Sequence, residues 1–148
     1  MSVVGCRRTP QASDPWPTFA SVAEIAPLVD WLVLAAPLTD ATRNMVDARV
    51  LASMRPTARL INVGRGPLVD EAALMIALRD GVIAGAALDV FDTEPLPGDH
   101  ALWSMPNVII TPHGTGRSAG SERRATAMFL DNFERYIRGE PLRHLVAI

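Results

Sequence analysis

A chain of 148 residues with a net charge of −2 is the size of one domain and is long enough to bury a core. Apolar residues make up 49% and charged ones 20%, a globular balance that argues against disorder, and the slight negative charge gives no footprint for nucleic acid. No apolar run is long enough to span a membrane, the start MSVVGCRR lacks the order of a signal peptide, and the lone Cys6 allows no internal disulfide, which together point to the cytoplasm.

In chain order, Ser2 to Cys6 is β-prone and stops at Arg7 and Arg8, and Cys6 reads as a small core residue at a strand end. Thr9 to Thr18 carries Pro10, Pro15 and Pro17 and reads as a loop. Val22, Ile25 and Val29 sit at helical spacing, and Trp31 to Ala35 is a continuous apolar run of strand length closed by Pro37. Thr39 or Asp40 is placed to cap a helix with apolar positions Met45, Val46, Val50, Leu51 and Met54, ended by Pro56. Arg59 to Val63 is the next strand. Asp70 then caps a helix over Glu71 to Arg79, with Gly81 just past its end.

Ala84 to Phe91 and Val108 to Thr111 complete the strands. Ala125, Met128, Phe129, Asn132, Phe133, Tyr136 and Ile137 follow the rhythm of a long helix that Gly139 and Pro141 stop. Alternating strands and helices predict a doubly wound parallel α/β sheet, and the continuous apolar strands predict burial on both faces.

Three strand ends carry the chemistry. LINVGRG sets Arg65 between Gly64 and Gly66, where the backbone can turn sharply and a guanidinium can grip a carboxylate through two parallel hydrogen bonds. DVFDTEP brings Asp89, whose burial in an apolar strand demands a polar partner, and Glu94, stiffened by Pro95. TPH brings His113, able to titrate near neutral pH. An arginine, a carboxylate and a histidine at the carboxyl ends of parallel strands are the parts for binding an anionic substrate and moving a proton onto its carbonyl. Each also has a plainer reading: a surface arginine, a solvated loop carboxylate, a packing histidine. His100 and His144 look ordinary. No HExxH or paired Cys/His spacing exists, so no metal site is expected, and no GxSxG elbow exists. The run Gly114 to Gly120 mimics GxGxxG with one residue too many and reads as a loop and helix start.

From Trp31 to about Pro141 the chain closely resembles the D-isomer-specific 2-hydroxyacid dehydrogenases: APLTDATRNMV, LINVGRGPLVDEAALMIALRDGVIAGAALDVFDTEPLP, HALWSMPNVIITPH and RGEPL. The resemblance implies an NAD- or NADP-dependent reductase of a small 2-oxo acid to a 2-hydroxy acid. The family's substrate-binding arginine falls on Arg65, its glutamate on Glu94 and its acid–base histidine on His113. Asp89 falls on the aspartate contacting the nicotinamide carboxamide, and Pro37, Val63, Gly64, Arg65, His113 and Thr115 on positions around the cofactor. Arg7 and Arg8 stand near where NAD-dependent relatives carry a ribose-binding acid, and an arginine pair suits the 2′-phosphate of NADP. Gly114 and Gly116 depart from the larger residues usual after the histidine.

The resemblance also implies an incomplete Rossmann-like sheet, lacking its first strand and the GxGxxG turn, with residues 1–121 a partial dinucleotide-binding domain. Residues 122–148 would be a helix and tail that in the family return to a substrate domain. In the family's strand order the missing strand lies between the second and fourth, so two strands are expected to stand without a partner. On this expectation the isolated chain has little or no activity. It would act as a truncated enzyme, as a dimerising interaction module, or as one half of an enzyme completed by another chain.

Overall fold

The computed structural model describes residues 1–116, 118 and 120–145. It divides into two compact units, residues 1–113 and 114–148. The first unit begins with two short strands, β1 (Gly5–Cys6) and β2 (Thr18–Phe19), paired in parallel. The chain continues through α1 (Val22–Ile25), β3 (Trp31–Leu34), α2 (Ala48–Ser53), β4 (Arg59–Asn62), α3 (Glu71–Arg79), β5 (Gly85–Leu88) and β6 (Val108–Ile110). β3, β4, β5 and β6 form one parallel sheet in sequence order, so the architecture is the α/β, Rossmann-like one expected. The two sheets are separate, with no pairing among the described residues between β1 or β2 and the strands β3 to β6.

Side chains on alternate sheet positions point to one face. Leu32, Leu34, Leu60, Ala86 and Leu88 are buried there together with Val22 and Ile25 of α1, Val50 and Leu51 of α2, and Leu74, Ala77 and Leu78 of α3. Each fully buried leucine contributes about 2 kcal/mol. The opposite face is open, contrary to the expectation of burial on both sides: Trp31, Val33 and Ile109 retain 54%, 55% and 67% of their exposure. Arg59 lies over the Trp31 ring at 5.3 Å and covers part of that face.

Capping explains several boundaries. The Asp70 carboxylate accepts from the Ala73 amide at the start of α3, and Gly81 follows at φ 70, the left-handed conformation that favours glycine. The helix expected to begin at Thr39 or Asp40 is shorter. Asp47 caps α2 by accepting from the Arg49 and Val50 amides, while Val46 forms a parallel bridge with Val69. Met45, at a bend, and Val46, at the bridge, therefore supply apolar contacts from outside the helix, which helical spacing alone does not distinguish. β2 begins at Thr18, the last residue of the proline-rich run that reads as loop. Cys6 ends β1 but is exposed, not a core residue.

The second unit is built on α4 (Ser121–Ile137), ended by Gly139 at φ 68. Phe129 and Phe133 stack at 6.1 Å, and the i,i+4 pairs Asp131–Arg135 and Glu134–Arg138 run along its surface. Asn132 exchanges two hydrogen bonds with the Arg143 backbone, tying the tail to the helix. α4 buries none of its residues. Arg117 and Ala119 of the glycine-rich run, and Val146 of the tail, lie outside the described residues. Among the described residues no helix is long and apolar enough to cross a membrane.

Candidate active site

Register aligns the strand ends. Leu34, Asn62, Leu88 and Ile110 lie side by side across β3, β4, β5 and β6. The ladder runs one residue further through hydrogen bonds from Val63 to Leu34, Asp89 to Asn62 and Thr111 to Leu88, each 3.0 Å. Pro37, Val63, Gly64, Arg65, Asp89, Glu94 and His113 therefore all follow strands on the same end of one sheet, the end at which ligands bind in open α/β folds.

The Arg65 turn is organised by Asn62, the last residue of β4. It is 1% exposed; its amide donates to the Arg65 carbonyl at 2.9 Å, and its oxygen accepts from the Gly64 amide at 3.1 Å. Gly64 packs so closely that a Cβ would sit 2.8 Å from Leu68 and 2.9 Å from the Ala36 carbonyl. At Gly66 a Cβ would fall 2.0 Å from the Phe91 carbonyl carbon, so backbone meets backbone there. Glycine is thus required where the Arg65 turn touches the chain that leads to Glu94. Arg65 itself is exposed, its guanidinium donating to the Gly64 carbonyl.

Glu94 and His113 meet. Glu94 Oε2 lies 2.6 Å from His113 Nδ1, and Glu94 Oε1 accepts from the Phe91 amide at 2.9 Å. The histidine hydrogen bond first, then the Phe91 amide, hold the Glu94 carboxyl below its ordinary range, and the Arg65 charge adds to the effect. His113 adopts φ 48, and its amide donates to the Asp89 carbonyl at 2.9 Å, which fixes the backbone beneath the ring. Asp89, 2% exposed, receives a hydrogen bond from the Thr111 hydroxyl, the polar partner its burial demanded.

Nearby, the Thr42 hydroxyl donates to the Pro37 carbonyl at 2.8 Å and holds that loop. Arg7 is paired with Asp14 at 2.7 Å, while Arg8 is exposed at the end of β1. Thr115 belongs to the second unit and is described apart from these residues. Asn62 and Thr111 could have been noticed as polar residues closing apolar strands; His100, read as ordinary, bridges Glu71 at 3.2 Å.

Comparisons with known proteins show the family. The sequence profile of the D-isomer specific 2-hydroxyacid dehydrogenase NAD binding domain matches residues 1–115, and the chain belongs to that family. It is 52% identical over 84 residues to glyoxylate/hydroxypyruvate reductase B of Enterobacter agglomerans, covering 57% of this chain and 26% of that protein. It is 38% identical over 128 residues to glyoxylate reductase of Aeropyrum pernix, covering 86% of this chain and 38% of that one. The chain thus spans about a third of the length of the curated relatives it matches.

Among solved structures, a D-isomer specific 2-hydroxyacid dehydrogenase from Xanthobacter autotrophicus Py2 in complex with NADPH and MES superposes with a TM-score of 0.84 and 40% identity. The match covers 99% of this chain and 61% of that one. An NADPH-dependent glyoxylate/hydroxypyruvate reductase from Sinorhizobium meliloti, in complex with NADP and malonate, gives a TM-score of 0.82 and 39% identity over 92% of this chain and 42% of that one.

Proposed function

We propose that the chain is the hydride-transfer half of a reductase that converts a small 2-oxo acid to a D-2-hydroxy acid with NADH or NADPH. The observation that carries this reading is the 2.6 Å contact between His113 and Glu94 at the sheet end where Arg65 also emerges. Arg65 holds the substrate carboxylate through its planar fork and polarises the adjacent carbonyl. With Nδ1 taken by Glu94, His113 carries the reaction's proton on Nε2 and delivers it to the carbonyl oxygen. Glu94, kept ionised by its hydrogen bonds, stabilises the imidazolium beforehand and orients the ring. A bound nicotinamide supplies the hydride.

The donor set at this end suits a dinucleotide. Asp89 would offer an acceptor for the carboxamide, Pro37, Val63 and Gly64 would hold the nicotinamide side, and Arg8 would offer a cation for the 2′-phosphate of NADP. Arg7 is engaged by Asp14, so Arg8 is the stronger candidate of the pair. Thr115 is retained as a cofactor-binding residue on the family resemblance alone. The sequence contains no GxGxxG turn. Backbone amides of such a turn at a helix start would anchor the cofactor's pyrophosphate. The lone thiol favours a cytoplasmic setting.

The test is oxidation of NADPH and NADH with glyoxylate, hydroxypyruvate and pyruvate. Saturable turnover that His113→Gln lowers by about 100-fold or more is expected, the scale of general acid catalysis. Turnover indifferent to His113 and Arg65 would argue against the assignment. A second reading, a non-catalytic interaction module, draws on the open face at Trp31, Val33 and Ile109 and the exposed Phe129, Phe133, Tyr136 and Ile137. Self-association in sedimentation experiments, with no cofactor binding by calorimetry, would favour it.

A further inference from the structure

We propose that His100 and Glu71 are a positioning pair, fastening the loop that presents Glu94 to the start of the helix that follows the Arg65 turn. This rests on the reductase reading, since it concerns how two parts of that site are held together. Glu94 lies within a loop running from Phe91 to His100. At the first end, Phe91 is buried and its carbonyl lies against Gly66, so backbone contact pins the chain. The far end is held by side chains: His100 Nε2 lies 3.2 Å from Glu71 Oε1, with side-chain exposures of only 20% and 21%. The turn between is closed by the His100 amide on the Pro97 carbonyl at 3.1 Å and by the Trp103 indole N–H on the same carbonyl at 2.8 Å.

The chemistry of the contact is specific. His100 Nδ1 accepts from the Leu102 amide at 3.4 Å, which leaves Nε2 to carry the proton and donate to Glu71. A neutral imidazole satisfies both contacts, so the fastening requires no change of charge. Glu71 is fixed in turn as the first residue of α3, directly after the Asp70 cap, where a carboxylate is favoured by the helix amides.

The neighbouring charges make the donor matter. Partial burial, then the charges of Glu71 and Asp70, push the Asp92 carboxyl up, with Arg43 opposing. Glu71 and Asp92 therefore repel each other across the junction of α3 and the Glu94 loop. The His100 N–H attracts Glu71 and holds this junction closed against that repulsion. Without it, the loop would relax away from α3 and draw Glu94 from His113.

The experiment follows the Glu94 side-chain carboxyl carbon by NMR as pH is varied, in the whole chain. In His100→Ala the titration midpoint of Glu94 is expected to rise toward the ordinary glutamate range, because its leading cause, the His113 hydrogen bond, is loosened. His100→Gln, which keeps an N–H donor at similar reach, is expected to hold the parent value. Should His100→Ala fail to fold, His100→Leu removes the N–H donor while keeping side-chain bulk and leaves Glu71 in place. An unmoved Glu94 midpoint in these donor-less His100 variants, even with a lowered melting temperature, would show a merely structural contact and overturn the proposal. NADPH oxidation with glyoxylate reads the underlying assignment separately. Turnover in the parent chain with no midpoint shift in the variant removes the positioning role alone; a midpoint shift with no turnover in the parent removes the reductase reading on which that role depends.

Discussion

Replacing Asn62 by alanine removes a side chain that ties both sides of the Arg65 turn. Its two hydrogen bonds, 2.9 Å to the Arg65 carbonyl and 3.1 Å from the Gly64 amide, are made from a position 1% exposed. Each contributes about 1 kcal/mol net, and the Gly64 amide left in a buried setting raises the total loss to roughly 2–4 kcal/mol. For a chain of this size that corresponds to a melting temperature lowered by about 5–15 °C. Urea unfolding followed by circular dichroism measures the loss directly. Asn62→Asp sharpens the reasoning, since it keeps the acceptor for Gly64 but points an ionised oxygen at the Arg65 carbonyl. That variant is expected to recover stability relative to the parent in mild acid, where a protonated carboxyl can donate again. An Asn62→Ala chain within about 0.5 kcal/mol of the parent would refute the view that these bonds carry the turn.

Gly66→Ala forces a methyl group into the Phe91 backbone and is expected to destabilise by about 1–3 kcal/mol or prevent folding, read by the same denaturation assay. Glu94 is held below its ordinary range in the folded chain, so its contribution to stability is present above the unfolded value of about 4.3 and is lost as pH falls through the folded value. Glu94→Gln should therefore be less stable than the parent at neutral pH and converge with it in acid; a gap independent of pH would contradict this. Asp92 is shifted the other way, so its ionised form costs the fold stability above its raised value. Asp92→Asn should raise the melting temperature at neutral pH, with the gain fading below the ordinary aspartate value of about 3.9.

Much of the fold and the site's parts could be read from the sequence because local signals agreed. Asp70 followed by an apolar helical pattern and Gly81 gives α3 with the bounds Glu71–Arg79. The apolar runs at Trp31, Arg59, Ala84 and Val108 each contain a strand of the larger sheet. Where one spacing fits two conformations, the reading failed. Met45 and Val46 fit a helical stripe with Val50 and Leu51, yet Met45 lies at a bend and Val46 bridges to Val69, both outside the helix. Trp31 and Val33 read as buried on hydrophobicity alone, whereas the covering helices of the first unit share a core with Leu32 and Leu34 on the other face. Arg65, Glu94 and His113 were visible as residue types at strand ends, but the side chains that orient them were not. Asn62, Thr111 and the Glu71–His100 pair act through contacts between segments distant in sequence or through a turn whose path no spacing rule specifies.

The central claim is that Arg65, Glu94 and His113 form a 2-oxo acid reduction site. The most direct measurement is the initial rate of NADPH oxidation at saturating cofactor with varied glyoxylate, comparing the parent chain with Arg65→Gln and His113→Gln. The account predicts a slow but saturable rate in the parent, a KM for glyoxylate raised chiefly by Arg65→Gln, and a kcat lowered by about 100-fold or more by His113→Gln. Equal rates in the three proteins, or no rate above the uncatalysed background in any of them, would contradict it.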